Sequence, residues 1–438
     1  MFKREDMSRL ILLLVPTWML ASPPTQLQLG SDGSVLVVRS IRVAGNESTR
    51  DYIILREMST AIGDTLNLER LEYDKNRIYS LGLFNRVDID YAAQGSEAEL
   101  IVRVHERWYI YPFPVLGFKY RDLKKFYYGA GVAHLNFRGR NERLIGEFAF
   151  GYDRWIQFSY QNPKLTADDD IFFRISGSWS RVQNLNPDRG TYQQEAVGGS
   201  ITLGKRFGLY HLLTGSFGYE SWRVSDVAIG RTISPDGRDA FPSVGGSYTF
   251  DTRDMKEYPT NGFLANVQAT KNGFGSGSVN ILRYGYDARV YVLLNGGTSL
   301  AGRTHGQFAS GGAVPPYRYT YFGYGERLRG YFDRIIEGED IVGGNLELRI
   351  PLLSPRYYEF PYAPLPEFSV WRYAVYAGVF ADAGKTWFRS EGPGGRRWYS
   401  GFGAGLHFLL PYSIIIRTEY AMNRRGVGQF IIDFGASF

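Results

Sequence analysis

From residue 107 onward, apolar and polar positions alternate in segments of about ten residues, each bounded by turn residues. Sixteen segments are read: 109–119, 126–136, 143–152, 155–162, 171–181, 192–204, 210–223, 243–251, 262–270, 279–293, 297–310, 341–351, 369–383, 397–411, 412–422 and 428–438. A period of two turns one face of a strand to an apolar medium and the other to a polar one. An even number of such strands is the pattern of an antiparallel transmembrane β-barrel. Tight turns such as Phe137 to Asn141 and Leu293 to Gly297 alternate with long connections at 181–191, 223–243 and 311–340. The link 352–368 is long where a short periplasmic turn is expected, and its Pro and Tyr content predicts an ordered excursion.

The pattern before residue 107 differs. Val35 to Val43 predicts a strand, closed by Gly45-Asn46, and Arg50 to Met58 a short helix. A second helix over Asn67 to Leu81 carries Leu68, Leu71, Ile78 and Leu81 at helical spacing, with Gly82 as its stop. Strands follow at Phe84 to Tyr91 and Ala98 to His105. The order is β-α-α-β-β over 35–106, enough for one small domain. Ahead of it, Lys3, Arg4 and Arg9 precede an apolar run from Leu10 to Ala21, too short to cross a bilayer as a helix. Residues 1–22 are expected to be a secretory signal peptide and 23–34 a linker.

Composition agrees with a mainly β chain. Aromatic residues make up 16% of the 438 positions, with 32 Tyr and 29 Phe, and there are 52 Gly. The absence of Cys excludes a disulfide scaffold, a thiolate metal site, a Cys nucleophile and lipidation of an N-terminal cysteine. The net charge of +6 is spread along the chain, which suits anionic lipid headgroups and argues against nucleic acid. The five His show no metal-binding spacing, and neither G-x-S-x-G nor a P-loop is present. No enzyme activity, cofactor or metal is expected. Asp251 and Asp254 read as a strand-end turn leading to Pro259.

Alternation also sorts side chains by face. Leu346, Leu348 and Ile350 face lipid, so Asn345, Glu347 and Arg349 are luminal. Val375, Ala377, Val379 and Ala381 face outward, with Gly378, Phe380 and Asp382 inward. Gly401, Gly403 and Gly405 are inward with His407, leaving room inside. The connection 311–340 carries Leu328-Arg329-Gly330-Tyr331 and is long enough to fold into the lumen. Arginine pairs bidentately with carboxylates and keeps its charge when buried, so Glu347 and Asp382 are the expected luminal partners of Arg329. That arrangement serves either as a staple for the loop or as a moving part. In the last strand, Phe430, Ile432, Phe434, Ala436 and Phe438 are read as lipid-facing, and Ile431, Asp433, Gly435 and Ser437 as luminal. The barrel is expected to close by pairing the first strand, 109–119, with the last. Tyr109, Pro112, Pro114, Gly435 and Phe438 mark that seam. The prolines lack ladder donors and Gly435 weakens a strand, so the pairing is expected to be weak.

Two sets of motifs resemble a known family. Ile41-Arg-Val43-x-Gly45-Asn46, with Gly63-Asp64 and Leu81-Gly82-Leu83-Phe84-x-x-Val87, resembles a polypeptide-transport-associated (POTRA) domain. Arg329-Gly330-Tyr331, Gly343-Gly344-Asn345-x-Glu347, Phe380-x-Asp382-x-Gly384, Asn136-Phe137-x-Gly139, and Phe250 to Asp254 with Pro259 to Gly262 resemble the BamA/TamA-type outer-membrane assembly and translocation family. Leu at 328, where the family has Val, and the single POTRA domain are departures. The resemblance implies a POTRA domain followed by a 16-stranded barrel in the cell outer membrane. It implies insertion or translocation of unfolded outer-membrane or secreted polypeptides. The POTRA domain, with motif residues Gly45, Asn46, Gly82 and Phe84, would receive the substrate in the periplasm, and the seam would act as a lateral gate. Outer-membrane lipid, periplasmic chaperones and accessory lipoproteins are the implied partners. The alternatives are an exporter of one dedicated substrate, of two-partner type, and a passive porin.

Overall fold

The computed structural model describes residues 35–438 apart from 167–168, 228–229, 276–277, 324–325, 333 and 437. The expected signal peptide and linker lie outside the described residues, as does Ser437 of the last strand.

The N-terminal unit contains β1 (Val37–Ala44), α1 (Asp51–Leu55), α2 (Leu68–Tyr79), β2 (Phe84–Gln94) and β3 (Glu97–Glu106). β3 is central, parallel to β1 and antiparallel to β2. Asn67 caps α2 by accepting the Arg70 N–H at 3.1 Å. The apolar faces of both helices meet the sheet around Ile54, Leu71, Ile78, Phe84 and Leu100. α1 is shorter than the expected Arg50 to Met58. Asp74 of α2 accepts the N–H groups of Ser59 (2.7 Å) and Thr60 (3.0 Å), and this holds the chain after the helix in a turn. Gly45 takes φ +85°, where a Cβ would collide with the Val104 carbonyl.

The second unit opens with β4 (Ile110–Phe118), β5 (Phe126–Phe137), β6 (Glu142–Gly151), β7 (Arg154–Asn162), β8 (Ile171–Gln183), β9 (Gln193–Phe207), β10 (His211–Val224), β11 (Arg238–Asp251), β12 (Gly262–Asn272), β13 (Ile281–Leu293) and β14 (Ser299–Gly311). A small pair, β15 (Thr320–Phe322) and β16 (Ile336–Gly338), sits in the connection that follows. The chain then forms β17 (Asp340–Glu359), β18 (Val370–Trp387), β19 (Tyr399–Leu410), β20 (Ile414–Asn423) and β21 (Gly428–Phe434). Apart from β15 and β16, these make one antiparallel sheet of 16 strands in sequence order, β14 pairing directly with β17. The sheet curls back on itself: the Tyr111 ring of β4 meets Tyr412, just before β20, at 6.4 Å, and Arg107 bonds Ser413 at 3.1 Å. Outward positions are apolar and exposed, such as Ile201 and Leu203 in β9 and Leu213 and Phe217 in β10. An apolar outer band of this kind is what a transmembrane barrel turns to lipid. Among the described residues no helix is long and apolar enough to cross a membrane.

Three expectations change. The link 352–368 is a hairpin extension: β17 continues to Glu359, through register shifts after Pro351 and Leu353, and β18 starts at Val370. Its tip reaches the N-terminal unit, where Asn85 donates to the Glu367 carbonyl and Trp108 stacks on Phe368 at 6.4 Å. Tyr109 precedes β4. Its hydroxyl meets Thr49 at 3.0 Å and its ring packs on the N-terminal core, so it belongs to the junction of the two units. The last strand ends at Phe434 because Gly435 takes φ +88° and turns the chain. Phe430, Ile432 and Phe434 face outward as expected, but Ala436 and Phe438 turn inward. Phe438 is buried against Tyr291 and Ala301, and the Tyr291 hydroxyl donates to its carbonyl at 3.2 Å.

Candidate functional site

Arg329 lies inside the barrel, 6% exposed. Its Nε and Nη2 grip Asp382 of β18 at 2.7 and 2.8 Å, and its backbone N–H donates to the same carboxylate at 3.1 Å. Nη1 donates to Glu347 of β17 at 2.6 Å and to Glu419 of β20 at 3.1 Å. The guanidinium lies 3.6 Å from the centroid of the Phe380 ring. A planar fork with five donors can meet three acids and a ring face together; an ammonium cannot.

The cluster extends on both sides. Glu347 also accepts from Arg349 Nε at 2.7 Å, and the buried Arg349 lies 4.3 Å from the Tyr258 ring centroid. Glu419 accepts from Arg417 at 3.0 Å, and Arg417 reaches Asp433 of β21 at 2.7 Å. Arg327 of the loop pairs with Asp433 as well. Glu347, His407 and Glu419 each offer a ligand atom within 4.8 Å of the others, a set that could hold a metal ion. Arg329 already supplies a cation to both carboxylates, so the donor set is matched by the chain's own charge.

Local chemistry brings the loop there. Leu328 and Tyr331 bury with Phe322, Ile336 and Ile341, and a turn bonds the Tyr331 N–H to the Leu328 carbonyl at 3.0 Å. Gly330 takes φ +91° and lies against the backbone of Met422 and Asn423, with Asn423 Nδ2 donating to its carbonyl at 3.2 Å. Three glycines of the wall form sockets. A Cβ at Gly401 would strike the Arg329 carbonyl, one at Gly384 the Phe322 ring, and one at Gly343 the His305 ring with Phe322 behind it. The Phe332 N–H donates to Gln429 of β21 at 3.0 Å, so the loop touches the last strand directly.

The seam is open. Among the described residues no backbone pairing joins β4 to β21. The Leu135 N–H bonds the Tyr109 carbonyl and the Lys119 N–H bonds the Lys125 carbonyl, so odd residues of β4 aim their backbone groups at β5. Even residues then aim at the seam, and two of them, Pro112 and Pro114, have no N–H to offer.

Other motif residues weld the N-terminal unit to the adjoining mouth of the barrel. Asn136 donates to Thr49 at 2.9 Å, and Gly139, at φ +69°, accepts from the Arg50 N–H at 2.9 Å. Asp251 pairs with Arg253 at 2.8 and 2.9 Å, and Asp254 caps the turn at the Thr260 N–H (3.0 Å), as the turn reading expected. That turn inserts Met255 into the N-terminal core. Asn46 donates to the Thr49 carbonyl at 2.8 Å and to Asp51 at 2.6 Å; Gly82, at φ +72°, ends the helix and leads Phe84 into the core.

Alternation brought Arg329 to Glu347 and Asp382 and placed Phe380 and Arg349 on the luminal face. It missed Glu419. The run Ile414 to Asn423 alternates as well and puts Arg417 and Glu419 inward, so the signal was present; what it lacked was a reason to join this strand to the loop.

Residues 136–438 match the Omp85 superfamily domain, and 36–107 match the surface antigen variable number repeat, a POTRA family. The chain belongs to the Omp85 superfamily. Among curated relatives it is 24% identical over 319 residues to the outer membrane protein assembly factor BamA of Nitratidesulfovibrio vulgaris, covering 70% of this chain and 39% of the relative. It is 25% identical over 342 residues to BamA of Neorickettsia risticii, covering 73% and 45%. The chain thus spans less than half the length of these Omp85 relatives. Its fold is shared with BamA from Haemophilus ducreyi lacking POTRA domains 1–3 (TM-score 0.55, 19% identity, 94% of this chain and 88% of that one). It is also shared with CdiB from Escherichia coli (TM-score 0.57, 12% identity, 94% and 78%).

Proposed function

We propose that this Omp85 protein inserts or translocates polypeptides at the outer membrane, with the POTRA unit receiving substrate in the periplasm and the β4–β21 seam serving as a lateral gate. The observation that carries the reading is the unpaired seam, where Pro112 and Pro114 remove two donors and β21 stops at Phe434. Exposed backbone edges accept an incoming strand through main-chain hydrogen bonds. The Arg329 cluster supports the same reading, because it couples the inward loop to β20 and β21 through Glu419, Arg417, Asp433 and Gln429. A loop tied to one side of the gate can bias whether the gate is open. The activity needs no cofactor or catalytic group. Unfolded polypeptides and outer-membrane lipid are the partners, with periplasmic chaperones or accessory lipoproteins delivering substrate.

The chain has no cysteine, so an engineered pair reports cleanly. The variant Leu116→Cys with Phe430→Cys, both on outward positions, is expected to insert a test barrel into liposomes when reduced and to stop when oxidised. Full insertion by the oxidised protein would refute a lateral gate. Loss of a single secreted protein on depletion, with all outer-membrane barrels retained, would instead favour the dedicated exporter.

A further inference from the structure

A cavity of about 310 Å³ lies between the POTRA unit and the inner wall of the barrel at its periplasmic end. Five cations line it: Arg56 and Arg77 from the POTRA unit, Arg143 and Arg206 from luminal positions of β6 and β9, and Lys256 from the turn after β11. Of the two carboxylates that line it, Glu57 is bonded to two of these cations, Arg77 at 2.8 Å and Arg206 at 2.9 Å, and Asp251 to Arg253 outside the cavity. Arg143 and Lys256 form no ion pair among the described residues; Arg143 makes one long bond, 3.5 Å, to the Leu81 carbonyl. Arg77 is 6% exposed, yet its Nε has no hydrogen-bond partner, and the buried Nε of Arg56 has none either. Buried N–H groups of charged side chains are costly to leave unpaired. Arg56 also pairs with Asp170 at 3.3 Å, so the surplus positive charge rests on Arg143 and Lys256, two cations without an ion-pair partner among the described residues that line a cavity suited to an oxyanion.

We propose that this cavity is an oxyanion site that takes a carboxylate of an extended polypeptide passing from the POTRA unit to the barrel. The anion chemistry stands on the lining cations alone; the choice of a polypeptide rests on the proposed assembly function. Two observations favour a peptide over a free ion. The volume is several times that of a phosphate, and Ile53, Leu81 and Phe172 give the cavity an apolar wall that a bare ion would leave unused. An acidic residue flanked by an aromatic one fills both halves. Charge-assisted hydrogen bonds to carboxylate are short and about twice as strong as neutral ones.

The test uses the full chain in detergent micelles and a labelled hexapeptide containing Asp-Phe, read by fluorescence anisotropy. Arg143→Gln with Lys256→Gln removes the two cations that no ion pair requires, so the fold is retained. The double variant is expected to weaken peptide binding by about tenfold or more, and the Asn-Phe peptide to lose a similar factor on the parent protein. Equal binding of the Asp and Asn peptides, or equal binding by parent and double variant, would overturn the site. Variant-sensitive binding of inorganic phosphate without any peptide binding would overturn the polypeptide assignment. Insertion into liposomes, measured in parallel, reports on the assembly function separately.

Discussion

Arg329 is the point at which loop, wall and last strands meet, and its cost when removed follows from what it leaves behind. Glu347, Asp382 and Glu419 are all buried, and truncating their shared cation strands carboxylates in a low-dielectric site. Breaking a buried pair in this way costs roughly 3–5 kcal/mol. Arg329→Ala is therefore expected to release the loop from the lumen while the sixteen strands persist. Trypsin should then cut between residues 312 and 339 at rates the parent resists, with heat-modifiable migration of the barrel retained. Arg329→Lys keeps the charge but loses the bidentate grip on Asp382 and the flat face on Phe380, so it should fall between the two. Identical cleavage of Arg329→Ala and parent would sink the anchoring role. Period-two alternation made Glu347 and Asp382 legible because it is a local property of a strand. Glu419 was not, because the register that carries β20 round to the loop is set by the pairing of all the strands between β17 and β21.

At the scale of elements, the seam depends on where two prolines point. Backbone bonds from Tyr109 and Lys119 to β5 fix the parity of β4, so Pro112 and Pro114 sit with their missing donors toward β21. Prolines on the β5 side would have broken the β4–β5 ladder instead. Pro112→Val with Pro114→Val restores two donors on the open edge, each worth about 1 kcal/mol if it finds an acceptor. The double variant is expected to unfold at a higher temperature in seminative gels and, under the proposed lateral gate, to insert substrate more slowly. An unchanged transition would show that β21 does not approach this edge. All sixteen strands and both helices were readable from hydrophobic period and turn residues. The ends were harder to read. Tyr109 continues the alternation of β4 but is drawn off by Thr49 of a unit 60 residues away. Phe438 continues that of β21, but Gly435 at positive φ reverses the direction before it, and glycine alone does not announce which φ it will take.

The whole molecule is two units joined through charge. POTRA residues Glu57 and Arg77 meet Arg206 of the barrel, while the Asn136 and Met255 turns and the extended β17–β18 hairpin brace the remaining contacts. Glu57 is the only carboxylate that bridges POTRA α2 and β9 here among the described residues. Burial by itself would raise its pKa; the Arg206 hydrogen bonds and charge, helped by Lys256 and Arg77, outweigh that and bring it from 4.5 down to about 2. A carboxylate depressed in the folded state stabilises it above the unfolded value and stops doing so as pH falls through the folded value. The contribution, which docking shares with the pair to Arg77 inside the POTRA unit, is present above about pH 4.5 and fades as pH approaches about 2. Spin labels at Ser96→Cys and Asn295→Cys, one on each unit, follow the docking in a chain that has no other cysteine. Their distance distribution should stay narrow from pH 7 to 4.5 and broaden only below that, as the POTRA unit begins to swing. In Glu57→Gln the distribution should be broader at pH 7, because Arg77 and Arg206 now repel each other unbridged, and its response to acid should shrink to that of the remaining cross-unit pairs, Arg56–Asp170 and Arg86–Glu359. A parent distribution that broadens between pH 7 and 5, where Glu57 stays ionised, would mean that a different group holds the two units together.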